Sequence, residues 1–255
     1  IKSSAASDVY KRQVLRFGEM NRPDIIINCS GMTDISSCEE NPSQAFKVNA
    51  LGARNLAIVA AKMQAKMVQL STDDVFDGKS TEPYTEFDIT NPGTVYGKSK
   101  LAGENYVKEF TTKHFIVRST WVYGKGQNFI NGFLKKVDAG EQLSIASDQF
   151  GSPTSANELA RFLLHLVHTS EYGTYHATNK GVCSRYAFAQ EILKMTGKTA
   201  SMQPVPTVMS DFSKVRPAYA VLDNFIMSMV PIYDFPDWQD SLREYLEERG
   251  LYHAE

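Results

Sequence analysis

Five consecutive residues, Tyr96-Gly97-Lys98-Ser99-Lys100, include two side chains that could transfer a proton together. On a helix, residues four positions apart lie on one face, so Tyr96 and Lys100 are neighbours if this segment is helical. An isolated phenol has a pKa near ~10, and a nearby ammonium group lowers it by favouring the phenolate. Such a pair can donate or accept a proton at neutral pH, as carbonyl reduction requires. The same spacing also occurs by chance in surface helices that have no catalytic function.

A hydroxyl group could complete this pair. Ser71-Thr72 ends a predicted strand, and ligands of open α/β sheets bind at the carboxyl ends of strands. There, Thr72 could hydrogen-bond a substrate carbonyl oxygen beside Tyr96. The simpler alternative is that Ser71 and Thr72 only cap the end of the strand.

The elements around these residues alternate between strands and helices. Short apolar runs predict strands at 25–27, 67–71 and 115–118. Helices are predicted from Asn41-Pro42 to Met63 and from about Tyr96 to Phe110. This order indicates a parallel sheet with flanking helices.

The chain changes character after Gly124. Helices are predicted near 128–138, 155–168, 185–196 and 237–249, with extended pieces at 142–146 and 174–178. This half is interpreted as a smaller mixed α/β lobe. At the other end, residues 1–13 have no apolar period, and we expect a non-native or disordered tail there.

Composition excludes several classes of protein. Of 255 residues, 42% are hydrophobic and 22% are charged, which is typical of a globular chain. The net charge of −2 gives no overall basic field for nucleic acid. No apolar run reaches the ~20 residues of a membrane span, and no signal peptide is recognisable. We therefore expect no nucleic-acid partner and no membrane association.

The three cysteines, Cys29, Cys38 and Cys183, match neither a CxxC nor a zinc spacing. They indicate reduced thiols and a cytoplasmic protein. The five histidines have no ligand spacing with cysteines or carboxylates, so no metal site is predicted.

Several separated motifs, taken in order, resemble one family. They are Ser71-Thr72-Asp73-Asp74-Val75-Phe76-Asp77-Gly78, Tyr96 to Glu104, Arg118-Ser119-Thr120-Trp121-Val122-Tyr123-Gly124, Asp148 to Thr154, and Arg216-Pro217 with Leu222-Asp223. With Thr72, Tyr96 and Lys100, this series is similar to the dTDP-4-dehydrorhamnose reductase family of the extended short-chain dehydrogenase/reductase superfamily. The resemblance extends from about Asp24 to Gly250.

The resemblance implies hydride transfer from NADPH to the C4 ketone of dTDP-4-dehydro-L-rhamnose. Tyr96 would be the proton donor, Lys100 would hold the nicotinamide ribose, and Thr72 would adjust the proton-transfer hydrogen bond. The dTDP-sugar would contact Thr72, Asp73 and Trp121. Trp121 could instead be a core aromatic.

Cofactor contacts are implied for Ser30, Gly31, Met32, Thr33, Tyr96 and Lys100. Where this chain has Ser30, Gly31 and Met32, the family usually has alanines and an aromatic residue or histidine, a difference that backbone contacts tolerate. Where this chain has Asp74, the family commonly has tyrosine, so the sugar pocket can differ here. NADH is the alternative cofactor. On the resemblance alone, Mg²⁺ and a homodimer stay open.

A dinucleotide enzyme of this class needs a Gly-rich turn after its first strand. The printed sequence contains no GxGxxG or GxxGxxG, and Gly18 is isolated. We therefore expect a Rossmann-like sheet that lacks its first strands and Gly-rich loop, and poor NADPH binding by these 255 residues alone. The expected division is a tail at 1–13, a partial NAD(P)-binding domain at 14–124 and a mainly substrate-binding lobe at 125–255.

Two other functions are compatible with the pattern. One is a non-catalytic regulatory subunit that resembles the β-subunit of methionine adenosyltransferase, and the intact Thr72, Tyr96 and Lys100 favour the reductase over it. The other is a nucleotide-sugar epimerase, which shares YxxxK but usually lacks a stretch like Asp148 to Thr154.

Overall fold

A computed structural model of the chain describes residues 2–209 and 218–253, without the side chains of residues 2–11 and 209. Arg216 and Pro217 of the last sequence motif lie outside the described residues. The chain divides into two compact units. Unit 1 comprises 1–75, 90–118 and 166–175, and unit 2 comprises 76–89, 119–165 and 176–255.

The described residues form helices joined by short strands. The helices are α1 Lys2–Asn21, α2 Ile35–Glu40, α3 Pro42–Phe46, α4 Gly52–Met63, α5 Val95–Phe110, α6 Phe129–Asp138, α7 Ala156–Val167, α8 Arg185–Thr196, α9 Phe225–Met229 and α10 Trp238–Glu248. The strands are β1 Ile25–Asn28, β2 Lys66–Thr72, β3 His114–Ser119, β4 Val122–Tyr123, β5 Leu143–Ala146, β6 Phe150–Gly151, β7 Thr154–Ser155, β8 Gly173–His176, β9 Cys183–Ser184, β10 Met202–Val205 and β11 Tyr219–Ala220.

Unit 1 is built around a sheet of strand order β1-β2-β3-β8. β1 and β2 are parallel, with Ile25 opposite Lys66. The three strands predicted from apolar runs are all present, and the Rossmann-like parallel sheet with flanking helices is confirmed. Beneath the sheet, the small side chains of Ala53, Ala57 and Ala60 let α4 pack closely on the strands.

The helices of unit 1 differ from prediction in two respects. The single helix expected from 41 to 63 is divided into α3, a π-helical turn at Lys47–Leu51, and α4. The structure also forms α1 where the sequence indicated a tail, and Gly18 of α1 packs so closely on α4 that a Cβ would lie 2.4 Å from Val59 Cγ1. The apolar period of residues 2–13 is weak, which is why the pattern did not indicate this helix.

Unit 2 combines small sheets with helices, as expected for the second lobe. Its sheets have the orders β11-β6-β9, β10-β5 and β4-β7. Its core combines aliphatic with aromatic side chains, and the aromatic ones include Tyr123, Phe133, Phe188 and Trp238. Residues 76–89 belong to this unit and 166–175 to unit 1, so the observed division does not follow a single boundary after residue 124. No helix in the described part of the chain is both long and apolar enough to cross a membrane.

Candidate active site

The site in unit 1 begins where β2 ends. Thr72 is the last residue of this strand, and a 3₁₀ turn at Asp73–Val75 follows it. The Thr72 hydroxyl lies 3.1 Å from Asp73 Oδ1 and accepts a hydrogen bond from the Asp74 N–H at 3.2 Å. Thr72 and Asp73 are both buried. Their side chains are therefore held by the turn itself at the carboxyl end of the sheet.

The first turn of α5 is packed against this turn. Thr94 is the N-cap, and its Oγ1 accepts a hydrogen bond from the Gly97 N–H at 3.0 Å. Gly97 permits the contact, because a Cβ there would lie only 2.0 Å from the Asp74 carbonyl oxygen. Tyr96 precedes Gly97 and is buried in a cluster with Ile35. The structure thus brings Tyr96 next to the segment that carries Thr72, as the sequence predicted.

Lys100 lies one turn further along α5. Its ammonium group donates a hydrogen bond to the Leu70 carbonyl oxygen at 2.7 Å. Burial lowers the Lys100 pKa to about 8, while the electrostatic interaction with Glu104, and with Cys29 to a smaller extent, opposes this shift. A lysine with this pKa is still largely charged at neutral pH and can lose its proton within the working range of an enzyme.

The predicted cofactor loop at 30–33 follows β1. Ser30 is fixed by a hydrogen bond from its hydroxyl to Asn28 Oδ1 at 2.6 Å. Gly31 is exposed, and a Cβ on it would lie 3.8 Å from Lys100 Nζ. Met32 packs beside Tyr96, and Thr33 is exposed. The loop therefore runs past Lys100 and Tyr96 with accessible backbone at Gly31.

Asn49 was missed by the sequence analysis. Its Oδ1 accepts from the Met32 N–H at 2.8 Å, and its Nδ2 donates to the Met32 carbonyl oxygen at 3.0 Å and to Ser99 Oγ at 2.9 Å. Ser99 in turn donates to the Tyr96 carbonyl oxygen at 2.8 Å. Asn49 thus connects the loop at 30–33 to α5. The available signal was a polar residue between Val48 and Ala50 in an otherwise apolar segment.

Trp121 belongs to unit 2, where its backbone is left-handed with φ of 48°. The Arg185 guanidinium lies over its ring, 3.4 Å from the centroid. On Gly151, a Cβ would approach the indole to 2.6 Å. The Trp121 carbonyl oxygen also accepts from the Thr154 N–H at 3.3 Å. The stretch from Asp148 to Thr154 therefore supports Trp121, and Arg185 is a second contact that the sequence did not reveal.

The residues of unit 1 fit the nicotinamide-ribose end of a dinucleotide. Lys100 provides a buried ammonium group and Tyr96 provides a phenol. Gly31 has an exposed backbone and no side chain to obstruct a ligand. Among the described residues, no cluster of three or more His, Cys, Asp or Glu side chains could hold a metal ion.

Comparisons with known proteins show which family the chain is similar to. The family model described as "RmlD substrate binding domain" matches residues 3–250. The spore coat polysaccharide biosynthesis protein SpsK of Bacillus subtilis is 38% identical over 230 residues, covering 90% of this chain and 81% of SpsK. The dTDP-4-dehydrorhamnose reductase of Escherichia coli is 33% identical over 239 residues, covering 89% and 80%.

Solved structures extend the similarity to the fold. A dTDP-4-dehydrorhamnose reductase from Clostridium acetobutylicum matches with a TM-score of 0.90 and 41% identity, covering 93% of this chain and 85% of that one. The same enzyme from Bacillus anthracis, in complex with NADP, matches with a TM-score of 0.90, 37% identity and the same coverage. With Tyr96, Lys100 and Thr72 assembled at one sheet edge, the chain belongs to the RmlD substrate binding domain family, the family of the dTDP-4-dehydrorhamnose reductases.

Proposed function

We propose that the chain reduces the C4 ketone of dTDP-4-dehydro-L-rhamnose to give dTDP-L-rhamnose, with NADPH as reductant. The packing of α5 against the turn after β2 carries this proposal, because it gathers a phenol, an ammonium group and a hydroxyl. Relatives of the same family that carry the reductase name support the substrate.

Each of the three residues has a distinct role in the proposal. Tyr96 donates its phenolic proton to the oxygen at C4 as negative charge develops there. The charged Lys100 favours the resulting phenolate and binds the nicotinamide ribose. Thr72, fixed by the turn, hydrogen-bonds the same substrate oxygen, and Asp73 and Trp121 bind the dTDP-sugar.

The cofactor supplies a hydride to C4 when it is bound. Ser30, Gly31, Met32 and Thr33 would hold it with Tyr96 and Lys100, and the NADP complex of the Bacillus anthracis relative supports NADPH over NADH. A homodimer and a cytoplasmic location are further parts of the proposal, and the family resemblance leaves a Mg²⁺ requirement open. Light scattering, cell fractionation and turnover with EDTA test them in turn.

The protonation of Lys100 gives the reaction a pH dependence. Because the Lys100 pKa is lowered to about 8, the ammonium form prevails below that pH and is lost as the pH rises through it. We expect kcat to fall across the same range, measured with NADPH and dTDP-4-dehydro-L-rhamnose.

The decisive variant is Tyr96→Phe, assayed by NADPH oxidation with dTDP-4-dehydro-L-rhamnose. We expect NADPH oxidation to fall by about 10²- to 10⁴-fold, the usual contribution of a general acid, with dTDP binding unchanged. Tyr106→Phe, on the same helix, is the control and should keep full activity. Turnover by Tyr96→Phe within a few-fold of the parent would refute the assignment.

A further inference from the structure

Unit 1 contains a buried ion pair one helical turn beyond the proposed catalytic residue Lys100. Glu104 of α5 is fully buried, and Arg118 of β3 is 3% exposed. Arg118 Nε donates to Glu104 Oε1 at 3.0 Å and Nη2 donates to Oε2 at 2.8 Å. Ser71 Oγ adds a third hydrogen bond to Oε1 at 2.5 Å. The carboxylate is therefore held in one orientation by three donors.

The position of Glu104 links this pair to the site. It follows Lys100 by four residues on α5, so the two side chains lie on one face of the helix. Glu104 binds Ser71, while Lys100 binds the carbonyl oxygen of Leu70. The helix thus attaches to two consecutive residues at the end of β2, immediately before Thr72.

Stability alone gives a weak reason for such a pair. Replacing a buried ion pair by well-packed apolar side chains is often neutral or stabilising, because the desolvation cost of the charges disappears. A role for the Glu104 charge is therefore better sought in what it does to its neighbours.

The charged and titratable groups that bear on Lys100 come from several elements. Glu104 and the Cys29 thiol, after β1, favour its ammonium form, whereas burial disfavours it. Tyr96 lies one turn earlier on α5, and Arg118 reaches Glu104 from β3. The turn after β2, whose backbone at Asp74 packs on the first turn of α5, also carries the carboxyl groups of Asp73 and Asp74.

We infer that Glu104, oriented by Arg118 and Ser71, is a positioning residue that keeps Lys100 charged and anchored at the end of β2. The inference rests on the proposed function for its catalytic consequence. The carboxylate acts through Lys100 and touches neither substrate nor cofactor. Without its charge, Lys100 loses its proton at a lower pH, and the reaction loses the ammonium group that supports Tyr96.

The test compares two variants by NMR. In Glu104→Leu/Arg118→Met, apolar side chains of similar size replace both charges, so no buried charge is left unpaired. Glu104→Gln is the isosteric second variant, in case the double variant does not fold. The titration of Lys100 is followed through its ¹³Cε resonance in ¹³C-lysine-labelled protein, assigned by its loss in Lys100→Arg.

We expect the Lys100 pKa to fall by about 1 unit or more in Glu104→Gln, which removes a neighbouring opposite charge, and to fall by less in the double variant, where the Arg118 charge is removed as well. The alkaline limb of kcat should move to lower pH by the same amount. Glu109→Gln removes an exposed carboxylate from the opposite face of α5 and should leave both unchanged.

An unchanged Lys100 titration in folded Glu104→Gln would overturn the inference, as would the kcat profile of the parent in that variant. The NMR titration requires no turnover. Failure of the inference is therefore distinguishable from failure of the proposed function, which the Tyr96→Phe assay decides.

Discussion

Gly97 provides the sharpest test of how the site is held together. In Gly97→Ala the new methyl group would lie 2.0 Å from the Asp74 carbonyl oxygen, 2.9 Å from the Asp74 carbonyl carbon and 3.0 Å from Pro92 Cβ. A backbone carbonyl cannot rotate away like a side chain. The first turn of α5 must therefore move from the turn after β2 by about 1 Å to relieve the contact.

Two opposing terms set the expected loss of stability. Overpacking costs about 1–3 kcal/mol, and a backbone contact this close belongs at the upper end. Alanine regains up to about 1 kcal/mol of helix propensity over glycine. The net loss is about 2 kcal/mol, which for a chain of this size lowers Tm by about 4–8 °C.

We also expect a large loss of catalytic activity in Gly97→Ala. A shift of about 1 Å between Tyr96 and Thr72 is expected to lower kcat/KM by about 100-fold. The assays are thermal unfolding followed by circular dichroism and NADPH oxidation at a temperature where the variant is folded.

The matched control for Gly97→Ala is Gly132→Ala in α6, where a Cβ would meet nothing within 4 Å. That variant should gain about 0.5–1 kcal/mol and keep its activity. If Gly97→Ala had the Tm and kcat/KM of the parent, the packing of α5 against the turn would not position the site.

Two further variants test contacts that the sequence did not reveal. Asn49→Ala removes three hydrogen bonds, two to Met32 in the loop at 30–33 and one to Ser99 in α5. The loss should be about 3 kcal/mol in urea unfolding, whereas Asn157→Ala at an exposed position should cost little. Arg185→Met removes the cation over Trp121, so we expect a loss of about 2 kcal/mol and a changed tryptophan emission spectrum, with the exposed Arg249→Met as control. An unaltered spectrum and stability in Arg185→Met would show that the cation does not hold the ring.

The parallel sheet of unit 1 and the placement of Tyr96 and Lys100 on α5 were predictable because their signals are local. Three short apolar runs became β1, β2 and β3, and the Tyr96 to Lys100 spacing became one face of α5. The rule that ligands bind at the carboxyl ends of strands then placed Thr72 beside Tyr96.

The contacts of Asn49 were not predictable, since they depend on a local change from α-helical to π-helical hydrogen bonding. The π-helical turn at Lys47–Leu51 inserts extra backbone into a segment that the apolar period treats as one helix. Such a turn changes which residues share a face, so a 3.6-residue count gives the wrong neighbours after it. The contact between Arg185 and Trp121 could not be predicted, because 64 positions separate the two residues and helix or strand periodicity relates only residues close in sequence.

The interleaving of the two compact units has a consequence for biosynthesis. The chain changes unit at 75/76, 89/90, 118/119, 165/166 and 175/176. A ribosome that has translated only to residue 124 has not yet made β8, the edge strand of the unit 1 sheet, because it spans Gly173–His176. The emerging sheet then presents β3 as an unpaired edge, the kind of surface that associates with other chains or with chaperones. The sheet of unit 1 therefore stays incomplete until much of the second unit has been synthesised.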